Sequence, residues 1–106
     1  MITVVNVKHD KRPEIIYIGH QTAERAASRL GNPYTIKEYT DTIGLYRRWL
    51  WRRLQSDTPQ RREIERLAQM HRSRQDFLLG CWCAPVPCHG EVVKAAIEWI
   101  VRKKAP

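Results

Sequence analysis

Runs of apolar residues along this chain change period several times, and each change marks an element. Ile2 to Val7 is apolar and β-branched, and Glu14-Ile15-Ile16-Tyr17-Ile18 returns to that character after the polar turn from Lys8 to Pro13. This predicts two neighbouring strands. Thr22 to Leu30 fits a short helix, with Thr22 as cap and Gly31 as stop, or else an ordered loop. From Asp41 to Gln55, Ile43, Tyr46, Leu50 and Leu54 recur at spacings of three and four, so they share one helical face with Trp49 at its margin. Ser56-Asp57-Thr58-Pro59 then breaks the chain and supplies both a cap and a first-turn proline for a second helix carrying Ile64, Leu67, Ala68 and His71. Asp76 to Cys83 reads as a mostly buried strand stopped by Pro85 and Pro87, and Gly90 leads into a last helix from Glu91 through Lys103. Strands and helices in this order predict a small α/β fold, two or three layers thick, with a compact, partly parallel, Rossmann-like sheet packed by helices.

With 106 residues, 42% of them hydrophobic and 28% charged, the chain suits a single folded domain spanning 1–106. The formal charge of +8 favours phosphate, nucleic acid or an acidic protein as partner through long-range attraction. The opening Met1-Ile2-Thr3-Val4-Val5-Asn6-Val7 lacks a basic leader region, and no run is long enough to span a bilayer, so no membrane association is expected. Three cysteines in one short stretch argue for thiols, metal ligands or reactive sulfur in a cytoplasmic setting rather than for a secreted disulfide framework.

Two segments concentrate the chemistry. Leu79 to Gly90 holds all three cysteines, two prolines and His89. Cys81, Cys83, Cys88 and His89 together offer three thiolates and an imidazole, the donor types of a tetrahedral zinc site, although the spacing is not a standard one. On a second reading, Cys88 and His89 sit just before the final helix, where unpaired amides favour an anion or activate a thiolate, making Cys88 a nucleophile and His89 its acid or base. A third reading makes the segment a structural loop that shapes a ligand site. The other segment is Gly31-Asn32-Pro33-Tyr34, in which glycine permits close approach, proline fixes the chain and asparagine offers a donor and an acceptor; the plain alternative is a helix-stop turn. His20, at the exit of the second strand, stands where α/β proteins tend to build clefts. Arg47, Arg48, Arg52 and Arg53, with Trp49 and Trp51, give one helix the means to contact phosphates and stack on bases, while a solvated amphipathic face explains the same pattern. Arg61, Arg62, Arg66, Arg72 and Arg74 extend this basic surface, interrupted by Glu63 and Glu65.

The Tyr17-Ile18-Gly19 strand end, the Gly31-Asn32-Pro33-Tyr34 turn, the Tyr46-Arg47-Arg48-Trp49-Leu50 helix, and Cys83-Ala84-Pro85 followed by Cys88-His89-Gly90 stand in a fixed order over most of the chain. In this the sequence resembles the family described as domain of unknown function 4326, found in bacteria and their phages among other sources. The resemblance implies that Gly19, Asn32, Pro33, Cys83, Pro85, Cys88, His89 and Gly90 are signature positions gathered around one cleft. It implies no activity. His20 stands where a typical member has arginine, and Cys81 is less characteristic than Cys83 or Cys88.

Three functions follow as expectations. In the first, a cleft binds a nucleotide or other phosphate-bearing molecule through Gly19, His20, Asn32, Pro33, Tyr34, Cys83 and Gly90. In the second, the protein is a non-enzymatic accessory factor of phage kind that binds nucleic acid or protein through its arginine and tryptophan surface. In the third, zinc stabilises the module, held by Cys81, Cys83, Cys88 and either His89 or His20.

Overall fold

The computed structural model describes residues 1–20, 22, 25–34, 40–73, 76–82 and 88–103. Strands β1 (Ile2–Asn6), β2 (Ile16–Tyr17) and β3 (Phe77–Cys81) form a parallel sheet in the order β1-β3-β2. Ile2 pairs with Phe77 and Asn6 with Cys81 on one side of β3, and Ile16 pairs with Leu79 on the other. The first two strands are therefore not neighbours, contrary to the sequence reading. The last strand enters between them because Phe77–Cys81 is buried at every position, and only a central strand satisfies its backbone on both edges there.

Strand alternation divides the sheet into two faces. Ile2, Val4, Ile16, Ile18, Phe77 and Leu79 point into the main core, whereas Val5, Val7, Ile15, Tyr17 and Leu78 make a smaller cluster on the reverse face. Helices α1 (Thr42–Arg53), α2 (Pro59–Arg72) and α3 (His89–Lys103) all contribute to the main core, so the described residues make a two-layer α/β fold. Helix α3 packs against β1, β3, α1 and α2.

The helices begin where their caps dictate. Asp41 accepts from Gly44 N at 2.9 Å, and Thr58 Oγ1 accepts from Arg61 N at 3.1 Å with Pro59 opening the helix behind it. Helix α3 starts two residues earlier than the sequence suggests, because the Cys88 sulfur accepts from Gly90 N at 3.3 Å and the Cys88 carbonyl from Glu91 N at 3.2 Å. The helix expected between Thr22 and Leu30 is absent among the described residues of that stretch. Thr22 Oγ1 does accept from Arg25 N, but Ser28 N donates to Gly19 O at 2.9 Å and Gly31 N to Ser28 O at 3.0 Å. So short a helix gains little from its own propagation, and hydrogen bonds to the strand exit prevail.

One close approach fixes α3 on the sheet. A Cβ on Gly90 would lie 2.7 Å from Val4 Cγ1 and 3.3 Å from Cys88 Sγ. Gly90→Ala should lower unfolding stability by about 1–3 kcal/mol through this overpacking. Urea denaturation measures it, and an unchanged midpoint would show that α3 is not held this tightly.

Candidate functional site

The exits of β2 and β3 and the first turn of α3 meet at the carboxyl end of the parallel sheet, where α/β folds build their clefts. His89 holds this junction together. The residue retains 9% of its surface, and Nε2 lies 2.7 Å from the Ile18 carbonyl oxygen. A carbonyl can only accept, so in the neutral ring Nε2 carries the proton and Nδ1 keeps its lone pair. Burial lowers the pKa of His89; the Ile18 carbonyl opposes that shift, and nearby His20 adds to it. Tyr46, completely buried on α1, meets the His89 ring edge-on at 5.1 Å and donates its hydroxyl to the Leu30 carbonyl at 2.6 Å. Burial pushes the Tyr46 pKa far up, so the phenol remains a donor.

The Gly31-Asn32-Pro33-Tyr34 turn is thereby pinned against the strand exit. A Cβ on Gly31 would stand 3.2 Å from both the Gly19 and Ser28 carbonyl oxygens, a space that suits a residue without a side chain. Asn32 uses both ends of its amide within the protein: Oδ1 accepts from Tyr34 N at 2.9 Å, and Nδ2 reaches Thr42 O at 3.4 Å. Asn32 therefore shapes the turn and ties it to the start of α1. Pro33 is exposed and Tyr34 half-buried. His20 is exposed, and its carbonyl accepts from the Tyr17 hydroxyl at 2.6 Å; the same hydroxyl accepts from Trp82 Nε1 at 2.7 Å, while Arg25 lies 5.2 Å from the Tyr17 ring centroid.

On the other side of the α3 start, Cys88 Sγ lies 3.0 Å from Cys81 Sγ, with both residues buried. Two thiolates on one tetrahedral zinc stand about 3.7 Å apart, so this pair would have to open to share a metal. Cys83 and Pro85 fall outside the described residues, and among those described no three His, Cys, Asp or Glu side chains converge to hold a metal ion. His89 directs Nε2 at Ile18 rather than at Cys88, which leaves Nδ1 as the ring atom available for proton transfer.

Thus Gly19, His20, Asn32, Cys88, His89 and Gly90 gather at one end of the sheet, and Arg47 and Arg48 of α1 face a neighbouring groove that begins at Glu91 and Val92 in the first turn of α3. Arg47 and Arg48 rim a groove of about 510 Å³ between α1 and α3, floored by Leu50, Leu54, Val92 and Ala96, with Trp51 and Trp99 edge to face at 5.1 Å. Trp49 is half-buried against Tyr46, so it packs the core margin. Arg52 is exposed, whereas Arg53 is half-buried and donates to Gln60 Oε1 at 2.8 Å, which removes it from the basic surface. On α2, Arg61, Arg62 and Arg66 pair with Glu65, Asp57 and Glu63; Arg74 lies outside the described residues. Sequence reasoning missed Tyr46 and Tyr17 as positioning residues. The available signal was a tyrosine in an otherwise apolar stripe, because a buried phenol needs an acceptor.

The fold defines a small α/β protein that gathers Gly19, Asn32, Cys88, His89 and Gly90 at the carboxyl end of a parallel sheet. The chain belongs to the family described as Domain of unknown function (DUF4326), whose model matches residues 5–99. No curated protein and no solved structure matches it.

Stability should carry the imprint of His89. Its folded pKa lies below the ordinary 6.5, so as pH falls below about 6.5 the unfolded chain takes up a proton that the folded ring resists. Stability is then lost progressively until the folded ring itself titrates. His89→Gln, which retains an amide donor for Ile18, should flatten this part of the stability–pH curve; His71, also shifted down by burial, supplies the remaining slope. An unchanged curve would mean that His89 is not buried as a neutral ring.

Proposed function

We propose that the protein is a ligand-binding domain that takes a nucleotide or other phosphate-bearing molecule at the carboxyl end of its sheet. The observation that carries this reading is the convergence of the Gly19–His20 strand exit, the Gly31–Tyr34 turn and the first turn of α3 on one junction. The positive end of a helix dipole and the strand ends of a parallel sheet favour anions, and here Gly90 N and Glu91 N are already turned toward Cys88. In this reading Cys88, His89 and Gly90 border the anionic group, His20 makes an auxiliary contact, and Asn32, with Pro33 and Tyr34, holds the wall opposite. Cys83 belongs to the same segment. Should the domain transform its ligand, Cys88 is the nucleophile and Nδ1 of His89 the proton acceptor. The net charge of +8 draws a polyanionic ligand inward, and a cytoplasmic setting suits the thiols. No helix among the described residues is long and apolar enough to cross a membrane.

A second reading is favoured by the α1–α3 groove, where Arg47, Arg48 and the exposed Trp51 stand together. There the domain works as an accessory factor of phage kind, holding nucleic acid or an acidic protein.

Native mass spectrometry of freshly purified protein, followed by equilibrium dialysis against ATP, tests the first reading. It expects a nucleotide-sized mass excess or saturable ATP binding that His20→Ala weakens about tenfold, equivalent to 1.4 kcal/mol. ATP binding that is lost in Arg47→Glu/Arg48→Glu but intact in His20→Ala would favour the groove instead. A mass excess of one zinc would favour the metal-stabilised module.

A further inference from the structure

We infer that Cys81 and Cys88 form a redox-active dithiol that peroxide converts to an intramolecular disulfide. The inference does not depend on the ligand-binding reading. The two sulfurs stand 3.0 Å apart, inside ordinary van der Waals separation, and a closing movement of about 1 Å brings them to the S–S bond length of about 2.05 Å.

The two residues are placed for this by separate parts of the fold. Cys81 ends the central strand, where its pairing with Asn6 and the bond from Val7 N to its own carbonyl at 2.9 Å fix its backbone. Cys88 immediately precedes α3, whose first turn is held by the Gly90–Val4 approach and by His89 on Ile18. Neither backbone can withdraw easily, so folding itself keeps the sulfurs in contact.

The chemistry has a natural order. Cys88 keeps 4% of its surface and Cys81 none, so Cys88 meets the oxidant first. The Gly90 N–H donates to the Cys88 sulfur at 3.3 Å and favours negative charge on it. The Cys88 thiol gives up its proton and its sulfur attacks one oxygen of hydrogen peroxide; an S–O bond forms, the O–O bond breaks, and the departing hydroxide takes up that proton and leaves as water. Cys81 sulfur then attacks the sulfenic sulfur, forming the S–S bond and breaking the S–O bond, and the departing oxygen takes up the Cys81 proton to leave as water. Two thiols lose two hydrogens, and one peroxide becomes two waters. The resulting covalent ring closes residues 81–88 and ties the end of β3 to the start of α3.

The test is intact mass spectrometry of the folded protein after brief exposure to hydrogen peroxide, quenched with an alkylating reagent. Wild type and Cys83→Ser should both lose two hydrogen masses and two alkylation sites, reversibly with dithiothreitol. Cys81→Ser and Cys88→Ser should show neither loss in the same time. The same loss should slow in guanidinium, where only chain diffusion brings the thiols together. A loss that persists in Cys81→Ser but vanishes in Cys83→Ser would assign the bond to Cys83 and overturn the proposal. So would oxygen addition without hydrogen loss, or a rate unaffected by unfolding.

Discussion

The hydrogen bond from His89 to the Ile18 carbonyl is the constraint on which the candidate site depends. It spans 71 residues of sequence and joins the exit of an edge strand to the first residue of the last helix. β2 has only two residues, and just beyond it Ile18 N donates to the Gly80 carbonyl at 3.0 Å, so the sheet holds the amide side of the exit and leaves the Ile18 carbonyl to His89. Tyr46 holds the imidazole edge-on while its hydroxyl secures Leu30. Break that arrangement and the strand exit, the glycine-containing turn and the helix start lose their common anchor. Its energetic weight comes from burial, since a polar pair removed from water is costly to leave unmade.

A second consequence concerns how charge is distributed. All three helices pack on one face of the sheet, so their outer surfaces carry most of the arginines. On α2, Arg61 and Arg66 face carboxylates three or four residues away and Arg62 faces Asp57 just before the helix, while Arg47, Arg48 and Arg52 on α1 have no ion-pair partner among the described residues. The unneutralised charge of α1 therefore sits beside a largely apolar groove that reaches Glu91 and Val92 in the first turn of α3. The fold thus holds two chemically different regions: a mostly buried, backbone-rich junction at the carboxyl end of the sheet, and an open aromatic groove rimmed by Arg47 and Arg48.

Much of the fold was legible because its helices are amphipathic. The stripe Ile43, Tyr46, Leu50, Leu54 and the Thr58-Pro59 start located α1 and α2 to within a few residues. Strand order was not legible: a fully apolar strand such as Phe77–Cys81 shows that both faces are covered, but not which strands flank it. The Thr22–Leu30 stretch left helix and ordered loop both open for a related reason, since Ser28 N answers to Gly19 O and Leu30 N to Ser28 Oγ, and local propensity contains no trace of that. At the site, residue types announced Cys88, His89 and Gly90, but the partner of each came from tertiary geometry. Nothing local in the sequence says that His89 faces Ile18 instead of Cys88, or that Asn32 is occupied by Tyr34 and Thr42.

The central claim is that the signature residues form one ligand site at the carboxyl end of the sheet. Backbone amide NMR during an ATP titration tests it most directly, because it locates binding residue by residue. The account predicts saturable shifts centred on Gly19, His20, Gly31, His89 and Gly90, with Trp51 and Trp99 unaffected. Shifts confined to the α1–α3 groove, or none at all, would contradict it.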